Sequence, residues 1–437
     1  MTLHAPAPGP ALWPAPYAAG PVHAQVSVPA SKSLTNRVLT LAALGDATVQ
    51  VRNPLRARDS LLMIDALRAL GVAITGPDDA RNATWTVTPP ARFTGDTTID
   101  CGLAGTVMRF VPPMAALADG RVHLDGDPRA RERPLAPLLE GLRDLGVPIE
   151  GELLPITVHG HGEVSGGEIT IDAGASSQFI SGLLLAGCRF ENGLTVHHRG
   201  PAVPSIPHID MTVESLRASG VPANRLATTS WQVQPAVPCT PNGYDVEPDL
   251  SNAAVFLGAA LATGGSVTVP GWPTHTAQPG DLLREYLATM GATVTLDEDG
   301  LTVTGTGPIG ATNFDLSPAG ELTPVIVALL ALADRPSRIS GVAHLRGHET
   351  DRLAALAAEI NSLGGDLTEH DDGLSISPRP LRGGVFHTYA DHRMAHAGAL
   401  LGLVVPDIVV EDIATTTKTL PDFTTMWADM LNGSAPA

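Results

Sequence analysis

The sequence predicts a mixed α/β protein of two domains, each assembled from three related units, and three observations carry that prediction. The chain has 437 residues and 43% hydrophobic content, enough to bury large cores and, by length, more than one of them. A helical stretch closing on glycine and followed by a strand recurs at Leu70-Gly71, Leu145-Gly146, Ser219-Gly220, Met290-Gly291 and Leu363-Gly364, with a degenerate sixth copy near Met430. The interval is roughly seventy residues, and a sustained period of that kind dictates architecture. The first helix of every copy also opens on a short polar motif.

Within a copy the predicted order is polar motif, apolar helix, β-branched strand after a Gly or Asp turn, amphipathic helix ending at glycine, and a further strand. In the first copy the closing helix reads Asp59 to Gly71, with Leu62, Ala66, Leu67 and Leu70 on one face and Gly71 as its cap. Val72 to Thr75 then resumes as a strand. Comparable helices are expected from about Pro134 to Leu145, Pro207 to Leu216, Pro279 to Met290 and Thr350 to Leu363.

The opening motifs are Ser31–Arg37, Leu103–Arg109, Ala175–Gln178, Asp249–Asn252, Ala319–Thr323 and Tyr389–Arg393. Plain N-capping accounts for their Ser, Thr and Asp residues. It does not account for Lys32, Arg37, Arg109 and Arg393, cations set against the positive end of a helix dipole, whereas a bound anion does. Six units divide into two groups of three, with one chain crossing near Val246 to Ser251. A second crossing falls near Pro29-Ala30 if the N-terminal strand belongs with the last three units. The predicted domains are residues 30–248, and 1–29 together with 249–437, with an anion-binding cleft between them.

Composition narrows the chemistry. A formal charge of −18 argues against nucleic acid and anionic membrane as partners, so an anionic ligand must be met by a local basic pocket. Of 27 basic residues only Lys32 and Lys418 are lysine. Arginine supplies a fixed charge in a planar fork, whereas an ammonium can also give up a proton, so the two lysines mark the place to look for chemistry. Cys101, Cys188 and Cys239 lie far apart with no paired spacing, which suggests neither disulfides nor zinc and fits a reducing cytoplasm. The Pro/Ala-rich start, Met1 to Ala24, lacks the pattern of a signal peptide, and apolar runs such as Pro324 to Ala333 are too short to span a bilayer. His392 and His396 stand four apart on an expected helix but have no third ligand, so they read as a packed or solvated pair and no metal is expected.

Seven segments, taken together, resemble the 5-enolpyruvylshikimate-3-phosphate synthase family: ASKSLTNR over Ala30–Arg37, AGTVMR over Ala104–Arg109, GDPRARERP over Gly126–Pro134, SSQ over Ser176–Gln178, ETDR over Glu349–Arg352, DHRM over Asp391–Met394 and KTLPD over Lys418–Asp422. They stand in the family's order over nearly the whole chain. The resemblance implies two domains of three βαβαββ units each, an inverse α/β barrel, and transfer of the enolpyruvyl group of phosphoenolpyruvate to the 5-hydroxyl of shikimate 3-phosphate with no metal or organic cofactor. It implies a cytoplasmic enzyme of aromatic amino-acid biosynthesis, a target of glyphosate, and a monomer.

By the same resemblance Lys32, Ser33, Arg37, Ser176, Ser177, Gln178, Ser205, Glu321 and His348 are expected to hold shikimate 3-phosphate. Lys32, Gly105, Arg133, Gln178, Arg352, Arg393 and Lys418 are expected to hold phosphoenolpyruvate, with Gly105 small because a side chain there would crowd that substrate or glyphosate. Glu321 is the candidate base, and Lys32 and Glu349 the candidates for proton exchange at the methyl carbon. Departures are Leu103, His208 and His348, where relatives carry Asn, Tyr and Lys. A histidine beside Glu349 is expected to titrate near neutrality. The nearest alternative is the UDP-N-acetylglucosamine enolpyruvyl transferase family, disfavoured because Asp125–Pro134 has no cysteine and Ser33 follows Lys32. The remaining alternative is a noncatalytic repeat scaffold, which needs neither the carboxylates nor the lysines.

Overall fold

The computed structural model describes residues 11–77 and 84–433. The first ten residues of the Pro/Ala-rich start therefore lie outside the described residues. In chain order the helices are α1 (Lys32–Leu44), α2 (Arg58–Ala69), α3 (Gly105–Ala115), α4 (Ala136–Asp144), α5 (Gln178–Gly187), α6 (Pro207–Ala218), α7 (Leu250–Thr263), α8 (Leu283–Thr289), α9 (Thr323–Ala331), α10 (Arg352–Ser362), α11 (His392–Gly402) and α12 (Phe423–Leu431).

The third unit shows the local design. Strand Gly167–Ile171 leads to α5, then strand Leu194–His198, α6, and the hairpin Ala223–Ala227 with Ser230–Val233. The first two strands pair in parallel and the last strand pairs antiparallel to both of its neighbours. The fifth unit repeats this order with Asn313–Asp315, Ser337–Ser340, Asp366–His370 and Gly373–Ser377. After α2, α4, α6, α8 and α10, the glycines Gly71, Gly146, Gly220, Gly291 and Gly364 take positive φ from +74° to +100°, the left-handed turn that ends a helix without a Cβ clash. In the first copy Leu70 is the cap itself and Gly71 the residue after it.

Three units take strands from elsewhere in the chain. Strand His23–Gln25 pairs in parallel with Ser266–Val269 of the fourth unit, and Leu12–Pro14 runs antiparallel to Ile408–Glu411 in the sixth. The first unit takes its outer strand from Tyr244-Asp245, which pairs with Val51-Arg52. Where the two connections pass, Ser31 N donates to Glu247 O at 2.8 Å and Asp249 N to Pro29 O at 2.8 Å.

Helices lie inside and sheets outside. Helix α9 is buried at every position and apolar after Thr323, and α5 and α7 are nearly so, as helices enclosed on all sides must be. The outer strands alternate, as in Ala292–Asp297, whose residues are by turns half-buried and exposed. Helices α1, α3 and α5 pack on one another, as do α7, α9 and α11. The buried apolar residues form two clusters, one running from Val38 to Val246, the other from Leu250 to Met430 with Val22 and Val26. Each fully buried Leu or Ile of α9 contributes about 1.5–3 kcal/mol. Among the described residues no helix is long and apolar enough to cross a membrane.

Candidate active site

The starts of all six inner helices line one cavity of about 130 Å³: Ser31 to Ser33 of α1, Gly105 and Thr106 of α3, Ala175 to Gln178 of α5, Asp249 and Ser251 of α7, Glu321 before α9, and His392 and Arg393 of α11. Arg133, Ser205, His208, Gln278, His344, His348, Glu349 and Arg352 complete the wall. Six helix N-termini directed at one space, with cations among them, make a site for a ligand of high negative charge.

Capping fixes the helix starts. Ser31 Oγ accepts from Leu34 N at 3.4 Å. Asp249 caps α7 through Asn252 N at 2.9 Å, and its other oxygen accepts from Lys32 N at 3.1 Å. One carboxylate thus holds the first turns of α1 and α7 together. Asp391 plays a similar double part at α11, accepting from Arg393 N at 2.8 Å and gripping Arg352 through Nε at 2.8 Å and Nη2 at 3.2 Å.

The charged groups form a line of alternating sign. Lys32 Nζ lies 3.6 Å from Asp59 Oδ2, and Lys418 Nζ lies 3.9 Å from the same oxygen. Lys418 Nζ also donates to Glu349, whose second oxygen is 3.1 Å from Arg352 Nη2. Burial, with Lys418 and Arg393 nearby, lowers the Lys32 ammonium from its ordinary pKa, while Asp59 and Glu349 oppose that fall. Burial by itself would raise the Glu349 carboxyl, but Lys418, Arg352 and Arg133 hold it well below the carboxylate range.

Glu321 sits in the 3-10 turn Ser317–Leu322 that precedes α9. Its Oε1 is 3.5 Å from His208 Nε2 and accepts from Ser251 Oγ at 3.2 Å. Burial works to raise this carboxyl as well; His208, a backbone N–H and Arg393 overcome it and keep the pKa at about 2. Gly105 lies where a Cβ would stand 3.0 Å from Arg109 Nη1, 3.2 Å from Arg133 Nη2 and 3.3 Å from Gln178 Oε1.

Lys32, Ser33, Gly105, Arg133, Ser176, Ser177, Gln178, Ser205, Glu321, His348, Glu349, Arg352 and Arg393 therefore stand together on one cavity wall. Lys418 is immediately behind it, 3% exposed and joined through Glu349. Arg37 is not on the wall: its guanidinium is buried against Thr212 Oγ1 at 2.8 Å and the carbonyls of His208 at 2.8 Å and Ser33 at 3.0 Å, tying α1 to α6. The expectation for His348 is corrected. Burial, reinforced by Arg352, holds its pKa well below the ordinary value rather than near neutrality.

Asp59, Asp249, Gln278 and His344 belong to the site without having been expected there. Asp59 is a second-position acid of α2, indistinguishable in sequence from a carboxylate placed to suit the helix dipole. Asp249 was visible only as a cap. Among the described residues no group of three or more His, Cys, Asp or Glu is placed to hold a metal ion. His396 packs with its ring centroid 5.1 Å from that of Phe423, and His392 lies 6.0 Å from His396.

The family model of EPSP synthase (3-phosphoshikimate 1-carboxyvinyltransferase) matches residues 16–427. The chain belongs to the EPSP synthase family. A 3-phosphoshikimate 1-carboxyvinyltransferase of Kocuria rhizophila is 55% identical over 438 residues, covering 96% of each chain. Two EPSP synthase structures from Acinetobacter baumannii superpose with TM-scores of 0.78 and 0.77 at 24% and 23% identity, covering 96% of this chain and 98% of theirs; that likeness is one of fold. The EPSP synthase match begins before strand His23–Gln25 and ends within α12, so the whole cavity falls inside it.

Proposed function

We propose that this cavity transfers the enolpyruvyl group of phosphoenolpyruvate to the 5-hydroxyl of shikimate 3-phosphate and releases phosphate, by addition and elimination through a tetrahedral intermediate, on the route to the aromatic amino acids. The reading rests on one observation above the rest: six helix N-termini, Lys32, Arg133, Arg352 and Arg393 surround a space that also holds Glu321 and Glu349. Two substrates bring two phosphates and two carboxylates, and this arrangement can bind all four without a metal.

In this mechanism Glu321 removes the proton of the 5-hydroxyl as that oxygen attacks C2 of phosphoenolpyruvate, and Lys32 delivers a proton to the methylene carbon. Elimination then reverses the proton transfer: Glu349 takes a proton from the new methyl group as the C2–O bond to phosphate breaks, with the Lys418 ammonium balancing the charge of the leaving group. Phosphoenolpyruvate is held by Lys32, Gly105, Arg133, Gln178, Arg352, Arg393 and Lys418. Shikimate 3-phosphate is held by Lys32, Ser33, Ser176, Ser177, Gln178, Ser205 and neutral His348, with Arg37 fixing Ser33 from behind. Residues 30–248 form one domain and 1–29 with 249–437 the other, closing on the ligands to exclude water. The protein works as a cytoplasmic monomer.

The test is phosphate release from phosphoenolpyruvate with shikimate 3-phosphate and, in parallel, with UDP-N-acetylglucosamine. Release with the first acceptor alone supports the reading. Release only with the second, or with neither, overturns it.

A further inference from the structure

We infer that Glu359, outside the cavity, is a positioning residue that sets the affinity for phosphoenolpyruvate by holding the segment 387–391 in a strained shape. The inference rests on the reading of Arg352 and Arg393 as phosphoenolpyruvate ligands. Glu359 is 4% exposed on α10, seven positions after Arg352 and so on the same face two turns later. It pairs with no lysine or arginine among the described residues. Its Oε2 accepts from His387 N at 2.8 Å and lies 3.1 Å from His387 Nδ1, and its Oε1 accepts from Tyr389 Oη at 2.6 Å.

The segment so held is unusual. Tyr389 and Ala390 are consecutive non-glycine residues at φ +53° and +55°, a left-handed conformation that L side chains adopt only when neighbours enforce it. The next residue is Asp391, which caps α11 at Arg393 N and grips Arg352. Helix α10 therefore clamps 387–391 at two points: Glu359 at its start and Arg352 at its end. The strained pair lies between the clamps, and the direction of Asp391 depends on both. Burial and the hydrogen bond to Glu359 raise the Tyr389 phenol to about 12, so it remains a donor. Without the Glu359 clamp, 389–390 relaxes, Asp391 shifts, and both arginines lose their placement, while Ser176, Ser177 and Gln178 at the start of α5 are untouched.

Steady-state kinetics of Glu359→Gln, Tyr389→Phe and the double variant Glu359→Gln/Ala390→Gly test this, with Arg352→Lys as reference. In Glu359→Gln the KM for phosphoenolpyruvate is expected to rise about tenfold, with kcat and the KM for shikimate 3-phosphate within about twofold. Tyr389→Phe is expected to raise the first KM about threefold. Glycine at 390 adopts positive φ without strain, so the double variant is expected to recover most of the loss. Equal rises in both KM values, an unchanged KM for phosphoenolpyruvate, or no recovery in the double variant overturns the inference. If Glu359→Gln does not fold, Tyr389→Phe decides. An unchanged KM in Arg352→Lys removes the underlying reading and the inference with it; a raised KM there with none in Glu359→Gln removes the inference alone.

Discussion

Asp59 Oδ2 and Lys32 Nζ stand 3.6 Å apart, and that same oxygen, fully buried and without a hydrogen bond, faces Lys418 Nζ at 3.9 Å. The two lysines of the chain, 386 positions apart, thus converge on one carboxylate. Lys32 and Asp59 stand on α1 and α2, whose apolar faces pack into the first cluster, and Lys418 lies two residues before Leu420 of the second, so this contact joins segments that belong to different clusters. Both lysine ammonium groups of the chain therefore stand at this carboxylate, and burial lowers the pKa of Lys32.

Replacing Asp59 by Asn removes the larger of the two groups, Asp59 and Glu349, that oppose the fall in Lys32 pKa. The ammonium then deprotonates at lower pH, so the alkaline limb of kcat/KM moves toward acid, and kcat falls about a hundredfold. A pH–rate profile measures both, and an unmoved alkaline limb contradicts the assignment.

Glu321 carries the proposed base function beside His208 at 3.5 Å. Glu321→Gln is expected to lower kcat by about 10²–10⁴ while leaving the dissociation constant for shikimate 3-phosphate within about fivefold. Calorimetric titration with the stopped enzyme, alongside turnover, checks this; a loss confined to binding would assign Glu321 to substrate recognition instead.

Stability should fall with acid in two stages. Burial depresses the pKa values of His344, to about 4, and of His348, His392 and His396. Below about pH 6.5 the unfolded chain takes up protons that these folded imidazoles refuse, so folding loses free energy as pH drops. Glu321, depressed to about 2, adds stability that is complete above the unfolded carboxyl value near 4.5 and is lost as pH falls toward 2. The urea midpoint should therefore decline steadily from neutral to about pH 4; a flat or rising midpoint is incompatible with buried neutral histidines.

At Gly105, a methyl group would press on Arg109 Nη1 at 3.0 Å and Arg133 Nη2 at 3.2 Å. Gly105→Ala is expected to fold, to raise the KM for phosphoenolpyruvate about tenfold, and to raise the glyphosate inhibition constant further. Parallel changes in the constant for shikimate 3-phosphate would place Gly105 elsewhere in the cavity.

Much of this was legible in the chain because helix starts advertise themselves: a cap such as Ser31 or Asp249 must accept from free N–H groups, and glycine must follow a helix that ends in a left-handed turn. Asp59 and His344 were not legible, since their roles arise from groups that tertiary packing brings within reach and no local spacing encodes. Pro279 opens a 3-10 turn, Pro279–Leu282, which shortens α8 to Leu283–Thr289; helical periodicity does not distinguish the two. The neutral state of His348 depends on burial beside Arg352, again a tertiary property. Arg37, expected on the cavity wall from its motif, is drawn behind it by Thr212 and two carbonyls.

The most direct measurement is phosphate release by Lys32→Arg with saturating shikimate 3-phosphate and phosphoenolpyruvate, together with the affinity of the variant for shikimate 3-phosphate. Arginine keeps the charge but cannot exchange a proton, so the account predicts retained binding and turnover reduced at least about a hundredfold. Turnover close to that of the parent enzyme would show that Lys32 serves as a fixed charge and would contradict the account at its centre.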